Sequence, residues 1–194
     1  MPKGKDIKEL LKPLVEKPIQ AYFGQGLHTL GLLHWILAQT GRASVFVSSY
    51  STSEPFLNGF YLLRQKGLVE KGMLLLDERA ARKTVQLEHL MTGAFDNVFL
   101  GQNHSKVLLV HNRQWKVSVV TSQNQTYGNR AESTIVTTDG DVYEQLLKQM
   151  EYSIVERSVE IDIAHGTGII TESGAAGAPA ADTARDWEPF GLEP

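Results

Sequence analysis

Asn103-His104-Ser105-Lys106-Val107-Leu108-Leu109-Val110 is the stretch on which the reading of this chain turns. Val107 to Val110 is a short, continuous apolar run, the pattern of a strand buried on both faces. Such a strand holds the polar residues at its start rigidly at one end of a sheet. Side chains alternate along extended backbone, so His104 and Lys106, two residues apart, emerge on the same face. After a turn at Asn112-Arg113-Gln114, a second run from Trp115 to Val120 is expected to pair back as a hairpin. That return carries Ser122 and Asn124 to the end of the sheet where His104 begins. A third run, Ser133 to Thr138, follows with Glu132 at its start. Polar groups from three neighbouring strands are therefore expected to converge.

An imidazole beside a fixed positive charge and a short amide is suited to attack on phosphorus. Negative charge builds on the non-bridging oxygens as the new bond forms, and cations and N–H donors stabilise it. The order His104-x-Lys106, hydrophobic strand, Thr121-Ser122-x-Asn124, then Glu132 resembles the HKD signature of the phospholipase D superfamily. That family reads H-x-K, four residues, D, then G-S-x-N and a downstream Glu. The resemblance implies that His104 is the nucleophile and Lys106 the phosphate-binding lysine. It also implies that Ser122 and Asn124 bind or orient around the phosphate and that Glu132 steadies an imidazole. His111 stands where the family has its Asp, Thr121 where it has the first Gly, and the spacing between them is longer than usual.

The remaining pattern predicts an α/β fold, a mixed sheet flanked by helices on both faces, as the resemblance also implies. Leu27, Leu30, Leu33 and Leu37 fall near helical spacing, and Gly41 closes that helix. Ala43 to Tyr50 reads as a buried strand. Ser53-Glu54-Pro55 opens a second helix running through Leu63, since proline is favoured in a first helical turn. Met73 to Leu76 reads as a further strand and Glu78 to Met91 as a polar helix. His28 and His34 are assigned to structure and His89 to a solvated helix face. With 0 Cys and no His or carboxylate cluster at ligand spacing, no metal or other cofactor is expected.

The 194 residues, 42% of them hydrophobic, suffice for one core. Residues 1–25 read as a basic arm or short helix with Lys3, Lys5, Lys8, Lys12 and Lys17, residues 26–163 as the phospholipase D-like domain, and residues 164–194 as a flexible acidic tail. The tail's Gly, Ala, Thr and Pro content buries too little apolar surface to order it. Its tip, with Trp187, Phe190 and Leu192 among acids, is a candidate docking peptide for a protein partner. The chain's formal charge is −3. The tail carries Glu172, Asp182, Asp186, Glu188 and Glu193 against Arg185, a net of −4, which leaves the body at +1. Nucleic-acid contact would then rest on local groups such as Arg79, Arg82 and Lys83, or Arg113, Lys116 and Arg130. No apolar run reaches the roughly 18 residues of a membrane span, and the start lacks the apolar core of a secretory signal, so a cytoplasmic location is expected.

The family mechanism uses two His-x-Lys units, and this chain has one. A homodimer is therefore expected, with a two-fold axis pairing His104 with its counterpart. The function implied is a metal-independent phosphodiesterase, foremost a nuclease working through a phosphohistidine. A phospholipid diesterase and a catalytically degenerate binding or assembly protein are the alternatives.

Overall fold

A computed structural model of the chain describes residues 6–80, 87–125 and 130–161. The acidic tail, Lys3, Lys5, Arg82 and Lys83 lie outside the described residues. A single eight-stranded mixed sheet organises them, in the order β1-β7-β6-β5-β2-β3-β4-β8. The strands are β1 (Ile19–Gly24), β2 (Ala43–Ser49), β3 (Val69–Asp77), β4 (Asn97–Gly101), β5 (Val107–His111), β6 (Lys116–Thr121), β7 (Glu132–Thr137) and β8 (Ser158–Glu160). β2, β3 and β4 run parallel, and every other pairing is antiparallel.

The helices are α1 (Ile7–Leu10), α2 (Thr29–Thr40), α3 (Glu54–Gln65), α4 (Glu88–Ala94) and α5 (Gly140–Arg157). Gly41 ends α2 with φ 77°, a left-handed conformation that costs glycine least. Pro55 sits in the first turn of α3 after Ser53 at the cap position. Asp139 caps α5, its carboxylate accepting from Asp141 N at 2.9 Å and Val142 N at 3.1 Å.

Alternation along the strands sorts the apolar residues into two clusters. Val45, Val47, Leu74, Leu76, Leu108 and Val110 pack with Leu33, Ile36 and Leu37 of α2 and Leu57 and Phe60 of α3. Phe46, Met73, Leu75, Val107 and Leu109, their immediate neighbours in sequence, pack instead with Tyr143, Leu147, Met150 and Ile154 of α5. No described helix is long and apolar enough to cross a membrane.

Two expectations change. The single polar helix from Glu78 to Met91 is replaced at its ends by a 3-10 turn, Glu78–Ala80, and by α4, while residues 81–86 lie outside the described residues. Glu78 follows directly on β3, and Asp77 accepts the Arg79 N–H at 2.9 Å, a local bond that favours a tight turn over helix. The stretch before Gly26, expected as an arm or short helix, contributes both α1 and the edge strand β1. Gln20, 4% exposed, folds that stretch against the sheet. Its carboxamide accepts from Lys12 N and donates to Lys12 O, both at 2.7 Å, and donates to Lys17 O at 2.9 Å.

Candidate active site

The hairpin expected from the sequence is present: β5 and β6 pair from Val107 with Val120 to His111 with Lys116. Asn112 shapes its turn, accepting from Gln114 N and Trp115 N at 3.0 Å while donating to Thr40 O at 2.9 Å. β7 pairs with β6 in turn. The start of β5, the end of β6 and the start of β7 therefore lie together. Thr121 N donates to Lys106 O and Ser122 N to Ser133 O, each at 3.0 Å, which closes this end of the sheet.

His104 stands exposed on the strap before β5, and Lys106 is half-buried beside it. The Lys106 ammonium donates to the His104 carbonyl at 2.7 Å and lies 3.5 Å from its Nδ1. Partial burial draws the Lys106 ammonium below its ordinary range, and the Glu132 carboxylate acts in the opposite direction. Glu132 accepts a short hydrogen bond from the Ser122 hydroxyl, whose oxygen accepts from Ser133 N at 3.0 Å. His104, Lys106, Ser122 and Glu132 thus share one end of the sheet. Glu132 is bonded to Ser122 and not to the His104 of its own chain, where the resemblance implied an imidazole partner.

Asn124 is placed differently. It is half-buried, with its Oδ1 enclosed and without a hydrogen-bond partner, and it bonds to none of the other four residues. Its side chain lines a cavity of about 270 Å³ at the amino ends of α2 and α3. Arg113 and Lys116 also move away from the expected site. An antiparallel hairpin puts its turn opposite its open end, and Lys116 there forms an ion pair with Glu144. His111 lies at that turn end too, five residues and roughly 17 Å of strand from Lys106. The Tyr143 hydroxyl meets its Nδ1 at 2.7 Å, and burial lowers the imidazole's pKa below its ordinary value. The departure at the family's Asp position therefore falls well away from the imidazole and ammonium.

Three positioning groups escaped the reading of the sequence. Asn103, 7% exposed, anchors the strap. Its amide donates to Ser48 Oγ at 2.9 Å and to Ser49 O and Leu75 O at 3.2 Å. Its Oδ1 accepts from Ser105 N at 3.0 Å and Ser105 Oγ at 2.7 Å. Asp77, at the end of β3, accepts the Asn103 N–H at 3.0 Å. Tyr50, just past β2, sets its ring centroid 5.1 Å from that of His104 and 5.9 Å from the Lys106 ammonium. The signal for Asn103 was its place immediately before His104, a short polar side chain able to bond its own backbone two residues on. Tyr50 is legible only once the β2–β5 register, Ser48 opposite Val107, is known. Among the described residues, no three His, Cys, Asp or Glu side chains group as a metal ion would require.

No protein-family model matches the chain, and no curated protein does. Solved structures do. Polyphosphate kinase from Porphyromonas gingivalis superposes with a TM-score of 0.52 at 10% identity, over 81% of this chain and 26% of its own length. Phosphatidylserine synthase from Haemophilus influenzae Rd KW20 gives 0.50 at 14%, over 73% of this chain and 39% of its own. TrmBL2, an archaeal chromatin protein, gives 0.51 at 10%, over 79% and 56%. The chain thus spans between about a quarter and a little over half of these proteins. At such identities the likeness is one of fold alone, a mixed α/β sheet with helices.

Proposed function

We propose that the chain is a phosphodiesterase of phospholipase D type, a nuclease acting through a phosphohistidine in a site shared by two copies. The observation that carries this reading is the strap itself. An exposed imidazole stands 3.5 Å from an ammonium, and a buried Asn103 ties their strap to two strands, β2 and β3. Fixed geometry of this kind converts binding into rate, because the reacting groups need no reorganisation.

In the proposed reaction, Nε2 of one neutral His104, the nitrogen facing away from Lys106, attacks phosphorus. A P–N bond forms and a P–O bond breaks, and the leaving oxygen takes a proton from the protonated His104 of the second copy. Water then attacks the phosphohistidine, giving its proton to that second imidazole as the P–N bond breaks. The cycle ends with both imidazoles as they began. Lys106 neutralises charge on the non-bridging oxygens throughout. The site supplies its own nucleophile, so the proposed reaction needs no metal.

The second copy has a surface to dock on. Val120 lies opposite Ile135, and Ile135 opposite Ala21, so the three share one face of β6, β7 and β1. Ile19 and Phe23 flank Ala21 on that face, and Ile19, Phe23, Val120 and Ile135 are all exposed, Phe23 to 78%. Phe23 pairs with Ser133, the residue after Glu132, and alternation turns Glu132 to the opposite face, so this apolar surface flanks the half-site from the other side of β7. In the proposed dimer a two-fold axis at this end of the sheet buries that surface as the second His-x-Lys unit reaches the first around the strand ends. Phosphatidylserine synthase and polyphosphate kinase, by their names, handle phosphoryl compounds, and the TrmBL2 structure concerns DNA binding, which together support the diester and nucleic-acid parts of the reading.

Replacing His104→Ala is expected to abolish cleavage of plasmid DNA or RNA with the thermal melt unchanged, and wild-type activity is expected to survive chelator. Turnover that chelation stops but His104→Ala spares would overturn the mechanism. Cleavage of phospholipid vesicles in place of plasmid would keep the chemistry and reassign the substrate.

A further inference from the structure

The cavity lined by Asn124 contains groups that a phosphodiester alone does not use. Gln125 is 2% exposed, lines the cavity, and has neither its carboxamide oxygen nor its carboxamide nitrogen hydrogen-bonded. Its backbone, by contrast, is pinned on both sides: the N–H donates to Ser49 Oγ at 3.1 Å and the carbonyl accepts from Ser53 Oγ at 2.9 Å. A buried amide with both ends idle is costly in a folded protein, and a molecule entering the cavity that Gln125 lines can complete its bonding. Because both ends are idle, exchanging the amide's oxygen and nitrogen leaves the requirement the same.

The chemistry of that ligand follows from the unmet groups. Gln125 Oε1 and Asn124 Oδ1 need hydrogen-bond donors, whereas Gln125 Nε2 needs an acceptor. An anion satisfies only the nitrogen and is repelled by both oxygens. The helix ends do little to offset that. Thr29 N is already taken by Gln123 Oε1 at 3.0 Å, Pro55 has no N–H, and Glu54 places a carboxylate in the first turn of α3. Leu30, Pro55 and Phe56 make the walls mainly apolar, and 270 Å³ is just below the roughly 300–1,000 Å³ of ordinary small-molecule sites. A flat heterocycle with an amine donor and a ring acceptor side by side fits these demands, and Asn and Gln carboxamides pair in this way with base edges.

We infer that this cavity receives the unpaired nucleobase next to the scissile phosphate and selects bases that carry an exocyclic amine. The inference rests on the nuclease reading and adds the identity of the flanking group. Ser122, at the phosphoryl end, and Asn124, at the cavity, are two residues apart and separated by at most about 7 Å of chain. One loop therefore spans phosphate and base within a single nucleotide. Entry of a base into this half-open cavity also requires that it be out of a duplex, so single-stranded or locally opened nucleic acid is the form recognised.

Calorimetric titration of the whole chain with free nucleosides tests this without any cleavage step. Adenosine is expected to bind roughly ten-fold more tightly than purine riboside, which lacks only the amine, and inorganic phosphate is expected not to displace it. Gln125→Met, close in size and removing only a carboxamide that forms no bonds here, is expected to erase the difference. Equal binding of the two nucleosides by the wild type, or failure of both to bind, overturns the inference, as does displacement by phosphate. The wild-type comparison decides even if the variant does not fold. Nucleoside discrimination without diester cleavage would remove the nuclease reading and leave the cavity assigned, while cleavage without discrimination would do the reverse.

Discussion

Asn103 holds the geometry of the proposed site from a buried position behind the His104 strap. Its side chain ties the His104 strap to β2 and β3 and bonds back to Ser105, so removing it leaves several buried groups without partners. Asn103→Ala is expected to lower stability by about 1–3 kcal/mol and to reduce kcat more than it raises KM, since the imidazole and ammonium lose their fixed relation. Denaturant melts and steady-state kinetics on the same sample check both. A kcat equal to that of the wild type would show that the strap holds itself. The sequence displayed His104, Lys106, Ser122 and Glu132 because each sits at a strand boundary that apolar runs make visible. Asn124 joins that group in the sequence because it shares the same boundary. The chain leaves β6 after Thr121, and the loop that follows turns Asn124 toward α2 and α3, a change of direction that no periodicity records.

Among the elements, legibility follows burial. β2, β5 and β6 are lined with Val, Leu and Phe and stand out. β1 does not, because it lies at the sheet edge with Ile19 and Phe23 exposed and a glutamine as its most buried residue. β4 and β8 are too short to show an alternation. The helix α5 carries little sequence signal beyond Asp139 at its cap, since its buried stripe of Tyr143, Leu147, Met150 and Ile154 is interspersed with charges. That helix meets β5 through Tyr143 and His111, and the joint carries a pH dependence. Burial favours the neutral imidazole of His111 in the folded chain and pushes the Tyr143 hydroxyl's pKa upward. A folded-state pKa below the unfolded value of about 6.5 means that the unfolded chain binds the proton first. Stability from this group is present above about pH 6.5 and is lost as pH falls from there toward the depressed folded value. Melts from pH 8 to 5 are expected to show that decline, and His111→Gln is expected to flatten it. An equal slope in the variant would place the effect elsewhere.

For the whole molecule, the proposed shared site links one His-x-Lys unit to one exposed apolar face. In the proposed reaction a half-site at one end of the sheet is chemically incomplete, and the exposed surface of Ile19, Phe23, Val120 and Ile135 is costly to leave in water. Phe23→Glu sets a charge in the middle of that surface on a residue already exposed, so the fold is expected to survive while the dimer dissociates. Sedimentation should then report monomer, and cleavage should fall with the dimer fraction. A fully active monomer would remove the shared site. The most direct measurement of the central claim is rapid quench of the enzyme during turnover of a phosphorus-labelled diester, followed by peptide mapping under alkaline conditions. The account predicts label held as an acid-labile phosphoramidate on His104, absent in His104→Ala; turnover with no label on His104, or with label on another residue, would contradict it.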